Sequence, residues 1–508
     1  MPYQSKKKLN HLWLRCCSSA ILNSPLGLWL VIAVLGSLCL PETFFASIRP
    51  SVETDTIQIL WDDEYGDIIN WEVRVGQPDG RPSWYSLVTR DGSGQVVSRH
   101  LSIKDKSFKD SLWSTTPPGY AKFKSQYAGN RLLIERHFYK TDMPYRLRME
   151  IYLKNISDQV LTDVPLAFVL GPGLGEYPID GLGVAESLYS YVQPVYLIDG
   201  KVSSFDIKSG DRRHRIDLKN KKCQWAGLQS RYFALLLAPV NHSDCKAVEY
   251  CFPESSTIKE LPKRYLPEIL IFLDVTGIEP GEVWKKEFII FSGPKSLDTL
   301  DTGSEKFRKI LFSGQWQGMR ILCFALLWIL KAIHAVIPSW GVSILMLALL
   351  VRVLIYPLAR KMMADQQKFA NVQLLIGPEI KKIKKKYRGE EQSEKILGLY
   401  KKHGVSPFTG MKPLVIVVIQ LPVFIALFHA LGQAAELQDA SFLWINTLGL
   451  PDQLFSFGQD LPLLGAYFNL LPFLMAFSTL LTIALSPMPG QNNIFLAIMA
   501  VVFFYDSK

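Results

Sequence analysis

Trp340-Gly-Val-Ser-Ile-Leu-Met-Leu-Ala-Leu-Leu-Val-Arg-Val-Leu-Ile-Tyr-Pro-Leu358 holds a single charged side chain, Arg352. As a helix rising about 1.5 Å per residue, a stretch of this length crosses about 28 Å, close to the ~30 Å of bilayer hydrocarbon. Trp340 sits at one boundary and Arg360-Lys361 follow the other, the order expected from an aromatic belt outside and basic residues inside. An arginine inside hydrocarbon costs at least ~2.5–3.5 kcal/mol on insertion scales. Arg352 is about six residues from the inner end, so it can snorkel to the headgroups. Alternatively it faces a water-filled cavity between helices and offers a positive charge there. Residue chemistry alone weighs the two equally.

The flanks of this span set the topology. Between Ala359 and Lys412 there are 13 Lys or Arg against 5 Asp or Glu, whereas Pro413 to Ser507 contains no Lys or Arg. The formal net charge of +10 is therefore concentrated in a cytoplasmic loop under the positive-inside rule, and sequence-specific nucleic-acid binding is not expected. Within that loop Phe369, Val372, Ile376, Ile380, Ile383 and Tyr387 recur at helical spacing. Gly377-Pro378 is expected to break or kink the helix. Ile396, Leu399 and His403 continue the pattern on a second helix, giving an antiparallel hairpin. Pro413 to Gly432 reads as a second clear span, and Tyr467 to Leu485 as another. Residues 433–466, acidic and without a basic side chain, belong outside. Ile494 to Tyr505 begins a further crossing that is short for the bilayer.

At the other end, Lys6, Lys7, Lys8 and Arg15 precede an uncharged stretch from Cys16 to Pro41. Phe44 and Phe45 sit where a signal-peptide cleavage site needs small residues, so an anchor with a cytoplasmic N-terminus is expected. Residues 50–300 read as β structure. Tyr145, Leu147, Met149, Ile151 and Leu153 alternate with polar residues, the period of a strand with one face on a core. Leu132, Ile134 and Phe138 fit a preceding strand, with Arg136 interrupting. Tyr232–Ala238 and Ile269–Leu273 read as strands buried on both faces. Short strands separated by Gly, Pro, Asn and Asp indicate a sandwich. Gly171-Pro-Gly-Leu-Gly175 lacks phosphate-loop spacing and reads as a turn. Between Arg320 and Lys331 only Ile321–Leu330 is continuously apolar, too short to span, so an interfacial helix is expected. Seven cysteines show no metal-type spacing; Cys245 and Cys251 are either bridged or two free thiols.

Val351-Arg-Val-Leu-Ile-Tyr-Pro-Leu358 resembles the start of the membrane core in YidC-type membrane protein insertases. Leu399-Tyr-Lys-Lys-His-Gly-Val-Ser-Pro407 and Ile419-Gln-Leu-Pro-Val-Phe-Ile-Ala-Leu427 follow at the family's distance, and Trp225-Ala-Gly-Leu-Gln-Ser-Arg-Tyr-Phe233 looks like a segment of its periplasmic domain. The resemblance, running from about residue 125 onward, implies a bacterial inner-membrane, multi-pass protein with a large periplasmic domain. It implies a hydrophilic groove, open to cytoplasm and lipid, whose arginine matches Arg352 and whose glutamine matches Gln420. Ser478, Thr479 and Thr482 are added as polar positions on a facing span, with helix–helix hydrogen bonding an equally good account of them. It further implies nascent membrane proteins as clients, and the Sec translocon, targeting factors or the ribosome at the hairpin, where Lys381, Lys382, Lys384, Lys385, Lys386 and Arg388 are the basic contacts. Anionic lipid is the simpler partner for these, at ~1 kcal/mol per basic residue. No cofactor, metal or enzyme chemistry is implied.

The expected fold class is thus a multi-domain membrane protein, an all-β sandwich outside the cytoplasm joined to an α-helical transmembrane bundle with a cytoplasmic helical hairpin. Its parts are an N-terminal anchor (1–41), the sandwich (42–300), a linker with the interfacial amphipathic helix (301–338), a span (339–358), the hairpin (359–412), a span (413–432), an outer loop (433–466), a span (467–485) and an incomplete fifth span (494–508). Family members continue into a further helix, so a truncated or shortened C-terminal end is expected. The competing functions are a scaffold subunit of the secretion channel, a solute transporter, which usually shows internal repeats, and a carbohydrate-active outer domain on a membrane anchor.

Overall fold

Alternation along residues 146–155 places Leu147, Met149, Ile151 and Leu153 in a core and leaves Arg148 and Lys154 exposed. The same residues sit in a computed structural model of the chain. It describes residues 51–484 apart from 62–67, 77–81, 91–95, 97, 99, 104–111, 116–119, 128–130, 163, 176–191, 206–212, 243, 253–265, 276, 302–305, 405–411 and 462–464. The expected N-terminal anchor and the incomplete last span lie outside the described residues.

Three antiparallel sheets build the β half. The first is a meander of β1 (Ser51–Glu53), β2 (Ile57–Trp61), β3 (Ile68–Gly76) and β4 (Pro82–Ser86). The second has the order β13-β16-β17-β10-β5, with β5 at Ser102–Ile103, β10 at Ala167–Leu170, β13 at Arg213–Asp217, β16 at Cys245–Cys251 and β17 at Glu268–Leu273. The third has nine strands in the order β12-β11-β14-β15-β18-β9-β8-β7-β6. These are β6 (Leu112–Thr115), β7 (Tyr120–Tyr127), β8 (Leu132–Lys140), β9 (Arg146–Asn155), β11 (Gln193–Ile198), β12 (Lys201–Ser204), β14 (Cys223–Gln229), β15 (Phe233–Pro239) and β18 (Val283–Pro294).

The alternation within β15 explains its apolar run. Leu235 and Leu237 enter the core shared with the other two sheets. Ala234, Leu236 and Ala238 face the other way, with Trp225 and Phe291, onto Leu300, Phe307, Ile310, Leu311 and Phe312. A strand covered on both faces has no polar side, so the period of two is hidden in its composition. Arg136 keeps the phase of β8 instead of breaking it: it is buried, its Nη1 donates to the Leu101 carbonyl at 2.8 Å, and its guanidinium lies 5.5 Å from the Phe123 ring. The Gly171–Gly175 segment is a turn, and Gly171, Gly173 and Gly175 all have φ values in the left-handed region, where a side chain would be strained.

Cys245 and Cys251 stand at opposite ends of β16, about 20 Å apart at ~3.3 Å per residue, far beyond the reach of a disulfide. No disulfide joins them, and Cys245 is buried.

Five long helices follow: α1 (Gln317–Val336), α2 (Trp340–Lys386), α3 (Gly389–Lys402), α4 (Lys412–Gly432) and α5 (Leu470–Ala484). The apolar run bounded by Arg320 and Lys331 is only the middle of α1, which has 20 residues. The two charges do not end the helix because both find partners. Arg320 donates to the carbonyls of Leu311 and Lys309 at 3.0 and 2.7 Å, and Lys331 pairs with Asp298 and Glu436 at 2.9 and 2.7 Å. Nor does Gly377-Pro378 end α2, which runs 47 residues with Pro357 and Pro378 inside it. By length and composition α1 and α2 are each able to cross a membrane. The last described strands, β19 (Phe455–Leu461) and β20 (Gly465–Phe468), form a hairpin before α5.

His100 is fully buried; its Nδ1 accepts from the Gly171 N–H at 3.1 Å, which leaves the proton on Nε2 to donate to the Leu87 carbonyl at 3.0 Å. Burial pushes its pKa down to about 4, against ~6.5 in an unfolded chain. The unfolded chain therefore takes up the proton first as pH falls. Stability from this group is complete above ~6.5 and is lost progressively toward pH 4, by about 3 kcal/mol. Denaturant melts between pH 4 and 7 are expected to show this slope, and His100→Gln to flatten it.

Candidate functional site

The upper end of the helical half is closely packed. Gly341, at the start of α2, lies under the Phe442 ring so tightly that a Cβ there would meet Cγ at 2.1 Å. Trp340 stacks on His334 with ring centroids 3.7 Å apart. Ser343 is buried and its hydroxyl donates to the Ser339 carbonyl at 2.8 Å. Cys323 of α1 meets the Ala426 carbonyl of α4, and Ala426 and Ala430 allow the close approach. Among the described residues the principal helix packing is α1 with α4, α1 with α2, and α2 with α4.

That packing ends partway along α2. Leu347 is 1% exposed, while Leu354, one heptad later on the same face, is 68% exposed. The partner helix behaves alike: Ala426 is 0% and Ile419, one heptad nearer its start, is 40% exposed. The two helices are in contact above and open below. Arg352 falls at this transition. It is exposed and makes no hydrogen bond or ion pair among the described residues. Gln420 of α4 is exposed as well. Each is about 12 residues from the end of its helix that faces the β domain, which at 1.5 Å per residue puts both about 18 Å from that end.

The remaining expected site residues lie on α5. Ser478 is exposed on α5, and its hydroxyl donates to the Met475 carbonyl of its own helix at 2.9 Å. The side chains of Thr479 and Thr482 lie outside what the structure describes, though both fall within α5. The start of α5 is fixed by Asp452, a buried carboxylate whose Oδ2 accepts from the Leu470 and Leu471 N–H groups at 2.7 and 3.1 Å and from Trp444 Nε1 at 3.2 Å. Sequence reasoning passed over Asp452, because its partners are 18 and 19 residues away in the chain and no local capping pattern marks it.

Beyond the open stretch, α2 continues into a pair with α3. Phe369 stacks on Tyr400 at 5.9 Å, Ile376 is buried, and the Lys395 ammonium lies 3.5 Å from the Tyr387 ring centre. Lys381, Lys382, Lys384, Lys385, Lys386 and Arg388 are all exposed. Gly389, with φ +68°, makes the reversal between the two helices.

Residues 332–507 match the family model described as 60Kd inner membrane protein. The membrane protein insertase YidC of Syntrophobacter fumaroxidans is 26% identical over 400 residues, covering 77% of this chain and 66% of that protein. The membrane protein insertase YidC of Chlorobium luteolum is 26% identical over 311 residues, covering 60% and 50%. The chain thus spans about half to two thirds of the length of the curated relatives it matches. Among solved structures, an active YidC insertase with its first transmembrane domain resolved covers 94% of this chain and 96% of its own at 17% identity and a TM-score of 0.29. A galactose mutarotase-like protein from Lactobacillus casei covers 48% of this chain and 99% of its own at 10% identity and a TM-score of 0.32.

The end of helix packing between Leu347 and Leu354 has a direct test. Leu347→Ala is expected to cost about 2–5 kcal/mol of stability and Leu354→Ala under about 0.5 kcal/mol. Unfolding of the purified protein in detergent measures both, and equal losses would show that packing continues to residue 354.

Proposed function

Because the chain belongs to the YidC-type membrane protein insertase family, we propose that it inserts and folds client membrane proteins, using the open stretch between α2 and α4 as the client groove. The observation that carries this reading is the exposed, unpaired guanidinium of Arg352 at the level where two packed helices part. A charge held partway into the bilayer needs water around it, and a hydrated notch shortens the apolar barrier that a polar client segment has to cross. Arg352 attracts the acidic or polar segment that is to be translocated, and Gln420 offers an amide to the same segment. The apolar segment of the client leaves along the exposed Leu349, Val353 and Leu354 of α2 into lipid, with no nucleotide chemistry. Ser478, Thr479 and Thr482 are assigned to the wall supplied by α5.

In this reading the protein is a multi-pass protein of the bacterial inner membrane. Residues 42–338 lie in the periplasm, 359–412 in the cytoplasm and 433–466 in the periplasm. An interfacial α1 is compatible with the ion pairs that Lys331, near its end, makes to Asp298 and Glu436. The basic hairpin Lys381–Arg388 meets anionic lipid, and the translocon, targeting factors or ribosome that deliver clients.

The groove role separates charge from mere helix anchoring. Arg352→Ala is expected to reduce insertion of clients with acidic translocated segments about tenfold or more, the scale of one charge-assisted interaction, while Arg352→Lys retains most activity. Depletion and complementation, scored by insertion of a small single-span client, is the measurement. If the alanine variant inserts acidic-tailed clients as well as wild type, Arg352 only snorkels.

Topology is checked by impermeant thiol labelling. A cysteine at position 390 is expected to react only after the membrane is opened, and one at position 450 in intact cells stripped of the outer membrane. Labelling at 390 from outside would reverse the assignment.

A further inference from the structure

The turn between β14 and β15, Ser230-Arg-Tyr232, points away from the sandwich and touches the helical half. Arg231 donates through Nε to the Gly432 carbonyl and through Nη1 to the Gly449 carbonyl, each at 3.0 Å. The Tyr232 hydroxyl donates to the same Gly449 carbonyl at 3.4 Å, and the Arg231 guanidinium lies 4.8 Å from the Tyr232 ring. Gly432 is the last residue of α4, where helix carbonyls lack intrahelical partners and the macrodipole favours a cation. Gly449 lies at the far end of the segment 433–449. That segment folds over the helix ends: Leu437, Ala440 and Ile445 are buried, Phe442 covers Gly341, and the Leu448 N–H returns to the Ala440 carbonyl at 2.7 Å.

We propose that Arg231 is a latch: one forked guanidinium from the β domain joins the two ends of the 433–449 cap and holds it closed over the ends of α2 and α4. A fork suits this task because its donors are held in one plane on separate nitrogens and so reach two carbonyls that stand apart, whereas an ammonium offers rotatable donors from a single nitrogen. The cap closes the groove on the side of the β domain and fixes the end of α4, the helix that carries Gln420. Arg231 is thus a positioning residue, and this role rests on the groove reading above only for its effect on insertion.

Hydrogen–deuterium exchange of the full-length protein in lipid nanodiscs reads the latch directly. In Arg231→Ala, which removes both charge-assisted hydrogen bonds, the peptides covering 433–449 are expected to exchange at least about tenfold faster through local opening. Peptides of β14 and β15 are expected to keep their protection, which a general loss of folding would not allow. Arg231→Lys is expected to recover less than half of the effect, and full recovery by lysine would overturn the two-carbonyl latch. Unchanged exchange over 433–449 in the alanine variant would overturn the proposal altogether. If that variant does not accumulate, Arg231→Gln, whose amide nitrogen stands about where Nε does and falls short of Nη1, is read in the same assay. Client insertion by the same variants is expected to fall about tenfold; faster exchange with undiminished insertion would overturn the link between cap and groove. Wild-type protein that inserts no client would instead strike the insertase reading and leave the exchange result standing.

Discussion

The second face of the nine-stranded sheet is the contact on which the arrangement of the described residues depends. Trp225, Ala234, Leu236, Ala238 and Phe291 would expose a broad apolar surface if the sandwich ended there. They are covered by the segment around Phe307–Phe312, which leads within a few residues into α1. One continuous apolar cluster therefore runs from the sheet through α1 to Leu347 and Ala426. Burial of this kind contributes about 25 cal/mol per Å² of apolar surface and is non-directional. The directional part is polar: Arg320, Lys331 and Arg231 hold main-chain carbonyls or carboxylates at the margins of the cluster. Apolar area sets which faces meet, and these cations set the register in which they meet.

The basic side chains around the helix ends differ from Arg352 in a way that bears on function. Arg320, Lys331 and Arg231 are each bonded to two fixed acceptors within the chain, which makes them structural. Arg352 has none among the described residues. An unpaired guanidinium is costly wherever water is scarce, and in the proposed reading water and client in the groove offset that cost.

Local periodicity was legible where one face of an element meets solvent. β8 and β9 could be read residue by residue, and even Arg136 fits once its carbonyl partner at Leu101 is seen. Reading failed where long-range partners override local signals. Arg320 and Lys331 look like helix limits until their acceptors, 9 to 105 residues away, are known. Of the break or kink expected at Gly377-Pro378 the break does not occur and α2 continues, since proline removes one hydrogen bond without forbidding the turns on either side. Of the expected site, Arg352 stands out in sequence because charge is rare in an apolar span, while Gln420 is named through the family resemblance. The parting of α2 from α4 is invisible there: Leu347 and Leu354 are the same residue in the same heptad position, and only packing distinguishes them.

The length of α2 adds a mechanical consequence. Its far end, Lys386, is about 29 residues past Pro357, or about 43 Å along the axis. Its near end is clamped by Phe442 and His334, and Pro357 is where the rod is weakest in bending. A rotation of ten degrees about that point swings the tip through about 8 Å. A bend at Pro357 would therefore displace the basic hairpin far while the clamped stretch that carries Arg352 stays in place.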